Sequence, residues 1–169
     1  MIAESVADSG TYRKDHVPPT VGGTYALVMR CHTQQAITIG RLGVLQVIPG
    51  LYVYLGSALG PGGLAARLGR HLRPLQRMHW HIDYLRPAVE IAEIWYAIGS
   101  GRCECRWAHL LAELPGASTP LPRFGSSDCT CPAHLVRLAA TDLAGAWQVL
   151  ALGSPGLCRL TLSHTEDDT

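Results

Sequence analysis

The sequence predicts a mixed α and β domain that opens as an antiparallel meander and continues into amphipathic helices. Three observations carry this. Short runs rich in branched and aromatic residues, separated by turn signals, fill the stretch from Gly23 to Ala58. Two later segments, 63–73 and 103–114, place apolar residues at helical spacing. A chain of 169 residues, 47% hydrophobic and 16% charged, has the length and composition to bury one sizeable core.

Residues 1 to about 21 are polar and close on Pro18-Pro19, so they read as a flexible leader. "GTYALVMRC" (23–31) suits a strand, "QAITIGRL" and "VLQVI" follow as short strands, and "GLYVYLGSA" (50–58) is another. The small-residue loop "GSALGPGGL" then leads to a helix over 63–73, with Leu64, Ala65, Leu68 and Leu72 on its apolar side and Pro74 ending it. Arg67, Arg70 and His71 share another face of that helix. "HWHIDYLRP" (79–87) fits a short helix or a strand, and "VEIAEIWYAIG" (89–99) alternates like a strand. "CECRWAHLLAEL" (103–114) is a second amphipathic helix, ended by Pro115-Gly116. The main domain therefore spans 22–138. Residues 139–169 form a C-terminal extension in which "AWQVLAL" could add a strand and "SHTEDDT" is an acidic tail.

Composition narrows function. With 14 Lys+Arg against 13 Asp+Glu the net charge is +1, so the chain is no wholly basic nucleic-acid coat, and any such contact is a local patch. Lys14 is the only lysine, and the arginines can form bidentate forks on phosphate. No signal peptide opens the chain and no apolar run reaches membrane-span length, so a cytoplasmic protein without a membrane partner is expected.

Several groups of residues could carry chemistry. The glycine-rich loop before residue 63 could present backbone N–H groups to an anion, making a phosphate-facing helix; the alternative is a solvated helix with a glycine turn. The lysine and Ser/Thr of a Walker motif are absent. Glu104 precedes Trp107, Ala108 and Leu111 on one stripe, so it heads the buried face and needs a cation or an arginine, unless it stays in water at the helix start. Tyr25 follows Gly22-Gly23, and Tyr52 and Tyr54 share a strand face; such phenols relay protons, position water, or simply fill a sheet. "DCTCPAH" offers Cys129, Cys131 and His134 as zinc ligands, with a fourth to come from His79, His81 or Cys105; the alternative is packing thiols. Neither cysteine pair has the C-x-x-C spacing of a thiol redox site.

Taken in order, these motifs resemble the GIY-YIG nuclease superfamily. Gly23-Thr24-Tyr25 stands for its first motif and Tyr54-Leu55-Gly56 for its second. "IGRLG", "YLGSALG.GGL.AR..RHLR", "HWHIDYL", "ECRWAHLL" and "FGSSDCTCPAHL" look like its small stand-alone Uri-type endonucleases, over about Gly22 to Leu138. The resemblance implies an α/β domain of the α+β kind, a small central antiparallel sheet flanked by helices. It implies phosphodiester hydrolysis in nucleic acid, DNA ahead of RNA, with Mg²⁺ or Mn²⁺ held by Glu104. Tyr25 and Tyr54 would orient or deprotonate the attacking water, Arg67 would hold the scissile phosphate, and His71 would complete the site. Gly56 and Ser57 would contact substrate, and Arg70 and Arg73 would either touch its backbone or simply solvate the helix. Two other readings remain open: a non-catalytic nucleic-acid-binding module of the same fold, and a zinc-stabilised interaction domain.

Overall fold

The computed structural model describes residues 10–12, 18–140 and 142–162. Its strands are β1 (Gly10–Tyr12), β2 (Gly23–Cys31), β3 (Gln35–Ile39), β4 (Gly43–Val47), β5 (Gly50–Ala58), β6 (Glu90–Ile98), β7 (Leu135–Leu138) and β8 (Cys158–Leu162). Its helices are α1 (Gly63–Leu72), α2 (His81–Leu85), α3 (Glu104–Ala112) and α4 (Leu143–Gly153), with a short 3-10 turn at Arg86–Ala88. The main sheet runs in the order β1-β8-β6-β2-β5-β7, antiparallel throughout except that β1 lies parallel to β8. The fold is α+β, as expected.

Strand residues alternate between the two faces of a sheet, and β2 and β5 are buried on both. On one face Tyr25, Leu27, Tyr52 and Tyr54 pack against Leu64 and Leu68 of α1, Ile82 and Leu85 of α2, and Leu45 and Val47 of β4. On the other, Ala26, Val28, Val53, Leu55 and Trp95 pack against Trp107 and Leu111 of α3 and Ala146 and Leu150 of α4. Two layers of helix thus enclose one sheet.

Four sequence expectations change. β3 and β4 do not continue the sheet; they pair only with each other, and β2 pairs directly with β5 across the hairpin they form. "AWQVLAL" is part of α4 rather than a strand, because its alanine and leucine favour helix and Ala146 and Leu150, four apart, are the positions it buries. The segment expected as a C-terminal extension contributes α4 and β8, and Gly10–Tyr12, inside the expected leader, pairs with β8. His71 lies on the buried stripe of α1 with Leu64 and Leu68, at i, i+4 and i+7, instead of on the arginine face. The rest of the expected leader (1–9 and 13–17) and the tail 163–169 lie outside the described residues. No helix among the described residues is long and apolar enough to cross a membrane.

Candidate active site

The edge strand β7 pairs with β5 only from Leu51 to Tyr54, and one further bond runs from Leu55 N–H to the His134 carbonyl. Beyond it the edge of β5 is open, and side chains from both faces of the sheet reach one groove of about 270 Å³. Tyr25, Tyr54 and Arg67 enter from the α1 side; Ser57 and Glu104 enter from the α3 side. Trp80, Arg102, Asp128 and His134 complete the rim.

The approach of Tyr25 depends on Gly56, its direct partner across the β2–β5 ladder. A Cβ at Gly56 would sit 2.5 Å from the Tyr25 phenol carbon and oxygen, so only glycine lets the ring lie over the strand. Tyr25 and Tyr54 ring centres are 6.5 Å apart. The Tyr25 hydroxyl is 2.8 Å from His71 Nε2. Burial pushes the Tyr25 phenol well above its ordinary range, Tyr54 adds to this, and Arg67 opposes it. Burial likewise raises Tyr54 to about 12 against the pull of Arg67. Both phenols are protonated at neutral pH. Burial lowers His71 to about 3, aided by Arg70, so its imidazole is neutral. His71 backs Tyr25 and does not itself line the groove.

Glu104 opens α3. The buried Thr24 hydroxyl accepts a hydrogen bond from Cys103 N–H at 3.2 Å, pinning the start of that helix to β2. Ser57, paired with Thr24 across the ladder, donates its hydroxyl to Glu104 Oε1 at 3.3 Å. Glu104 is 6% exposed, and its Oε2 has no hydrogen-bond partner. A buried carboxylate oxygen left so is costly and suits a cation placed at the groove.

The arginines divide. The Arg67 guanidinium faces the groove and lies 4.3 Å from the Trp80 ring centre. Arg70 covers the same ring at 3.8 Å and forms a bidentate pair with the fully buried Asp83, at 3.1 and 2.9 Å. Asp83 Oδ2 also accepts the backbone N–H groups of His79 and Trp80, both at 2.8 Å. Burial alone would raise Asp83; the Arg70 and backbone hydrogen bonds outweigh it and hold the carboxyl below its usual range. Arg70 therefore braces α1 against α2. Arg73 is exposed just past α1 and does not line the groove.

Of the two readings weighed for the start of α1, the structure gives the glycine turn rather than the anion site. Gly63 N–H bonds the Gly60 carbonyl, Leu64 N–H the Val21 carbonyl and Ala65 N–H the Pro19 carbonyl, so these donors are already used within the backbone. The glycines serve the turn: Gly62 and Gly63 both adopt positive φ, at 79° and 54°.

A second cluster adjoins the groove. The ligand atoms of Cys105, Cys129, Cys131 and His134 all lie within 4.8 Å of one another and could hold a metal ion. Cys105 and Cys131 are in disulfide contact, with Cα atoms 6.0 Å apart. Of the three residues weighed as a fourth ligand, Cys105 is the one present; His81 instead accepts the Gly125 N–H on Nδ1 at 2.9 Å. Sequence reasoning missed Trp80 and Arg102 at the groove; it singled out Asp83 with His79 in "HWHID" as a structural cluster, without its Arg70 partner. The spacing of "RHLRPLQRMHWHID" carries no sign that Trp80 would stack under two arginines.

These features define a class: an α+β domain whose groove, at an open sheet edge, gathers the Glu104 carboxylate, two phenols and the Arg67 guanidinium, with Arg102 and Asp128 at its rim. The chain belongs to the family described as domain of unknown function DUF123, which matches residues 24–150, more than half of its length. No curated protein and no solved structure matches it.

Proposed function

We propose that this protein is a metal-dependent endonuclease that hydrolyses phosphodiester bonds in DNA, of the GIY-YIG type its motifs resemble. The observation that carries the reading is Glu104 Oε2, a buried carboxylate oxygen without a hydrogen-bond partner, on a residue that lines the groove with Tyr25, Tyr54 and Arg67. Glu104 would hold Mg²⁺ or Mn²⁺, and the ion when bound supplies stabilisation of negative charge on the leaving oxygen. One carboxylate fits a hard cation that keeps most of its waters. The neighbouring cysteine–histidine cluster stands apart from this reaction, since soft sulfur donors suit Mg²⁺ poorly.

Arg67 is available to grip a phosphate, with its guanidinium set against the Trp80 ring. The protonated phenols act as positioning donors and acceptors for water. Where Tyr25 donates its proton to His71 Nε2, its oxygen lone pairs are left for Arg67 and for a water in the groove. Ser57 fixes one carboxylate oxygen and leaves the other free.

The test is cleavage of end-labelled single-stranded, duplex, flap and branched DNA, with an RNA arm, in Mg²⁺ or Mn²⁺. Wild type should cut, and Glu104→Gln and Arg67→Ala should each lose about 10²-fold or more. Cutting that survives Glu104→Gln would reject this site. Salt-dependent binding without cutting would leave a non-catalytic binding module.

A further inference from the structure

We propose that Cys105, Cys129, Cys131 and His134 form a tetrahedral Zn²⁺ site that clasps the loop from Phe124 to His134 onto the first turn of α3. The proposal does not rest on nuclease activity.

Geometry is the main support. Zinc–sulfur and zinc–nitrogen bonds of about 2.3 and 2.0 Å imply tetrahedral edges of about 3.8 Å between sulfurs and about 3.5 Å between sulfur and nitrogen. His134 Nε2 lies 3.4 Å from Cys105 Sγ and 3.4 Å from Cys129 Sγ, two such edges. All four ligand atoms fall within 4.8 Å of one another. A disulfide accounts for only two of the four, Cys105 and Cys131, and gives no reason for Cys129 and His134 to converge on the same point. Disulfide and zinc are mutually exclusive occupations of those two sulfurs, so separating them to ligand spacing completes the tetrahedron.

The imidazole is also oriented as a ligand should be. His134 turns its Nε2 toward both Cys105 Sγ and Cys129 Sγ, which leaves Nδ1 on the side away from them. A metal-bound imidazole is fixed by a hydrogen bond to its other ring nitrogen, the role open to Nδ1 here. Three thiolates and an imidazole favour zinc over hard cations and match the Cys₃His sets of structural sites.

The local chain explains why a clasp belongs here. The 124–134 loop is closed by His134 N–H to the Phe124 carbonyl at 2.7 Å, and the His134 carbonyl accepts Leu55 N–H at 2.9 Å. Cys105 follows Glu104 directly on α3, and Cys129 and His134 line the groove. One ion would tie the loop, the open edge of β5 and α3 together.

The full chain, purified without a histidine tag, chelator or oxidant, is analysed for metals. About one equivalent of zinc is expected; less than about 0.2 equivalents, or iron in its place, overturns the proposal. Co²⁺ exchanged into the site should give the intense visible bands of tetrahedral thiolate coordination, and their absence overturns it. Cys129→Ser separates the alternatives, because Cys129 lies outside the disulfide. The variant should lose zinc at least 10-fold more readily to a chromogenic chelator; unchanged retention overturns the proposal. Thiol titration of wild type covers a variant that fails to fold. Cys105 and Cys131 should react after chelation alone, whereas a requirement for reductant overturns the site.

Discussion

His71 is buried neutral against Tyr25, and the structure offers its Nδ1 no partner. Its folded pKa of about 3 lies below the ordinary 6.5, so between those values the unfolded chain holds a proton that the folded chain refuses. Stability from this group is therefore complete above pH 6.5 and lost as the pH falls toward 3, by about 1.4 kcal/mol per unit. His81 and His134 are lowered as well and add in the same direction. Asp83, held below its usual range, adds again only below about pH 4. Thermal melts from pH 7 to pH 4.5 should show Tm falling with pH, by about 2–4 °C for each kcal/mol lost. His71→Leu should flatten that slope; an unchanged slope would mean that another group drives it. Tyr25, Tyr54 and Glu104 were legible at this scale because motif order and the stripe of α3 singled them out. His71 was misplaced because its four-residue offset from Arg67 hid its seven-residue offset from Leu64.

Among the elements, α1 and α2 are held together by charge as much as by apolar contact. Asp83 uses both oxygens on Arg70, and one of them twice more on the backbone of His79 and Trp80 just before α2. Arg70→Ala would leave a fully buried carboxylate with backbone donors alone, and should destabilise by about 3 kcal/mol in urea titration. Arg70→Lys should recover little, since an ammonium cannot match the two-pronged contact. A loss below about 0.5 kcal/mol would show Arg70 to be a surface cation after all. The strands and the helices α1 and α3 could be read from period and turn residues. The removal of β3–β4 from the sheet could be read only from the long spacing between Tyr25 and Tyr54, which calls for an inserted hairpin, because alternation shows a strand but not its neighbour. The closed donors at the start of α1 could not be read, since their acceptors come from Pro19 and Val21, more than forty residues earlier.

For the whole molecule, the second helical layer decides whether the sheet can fold. Trp95 and Trp107 are both fully buried, and Trp107 Nε1 donates to Ser154 Oγ at 2.9 Å, just past α4. Arg159 of β8 pairs with Glu93 of β6 at 2.8 Å and lies 5.4 Å from the Trp147 ring centre. A chain ending at Leu138 would bare one tryptophan-rich face and the edge of β6. Such a truncation should bind a hydrophobic dye and lose its cooperative melt; a sharp transition would show that residues 139–162 are dispensable. The weak patterning beyond Leu138 follows from this arrangement, since α4 is apolar on more than one side and shows little periodicity.

The placement of β1 beside β8 has a practical corollary. Residues 10–12 and 158–162 run side by side along one margin of the sheet, while the groove opens at β5. Four strand spacings separate β1 from β5, about 19 Å. A tether joined near either of those strands starts from the margin away from the groove. The protein can therefore be anchored to a bead or fused to a reporter by either one with its groove still turned toward the solution.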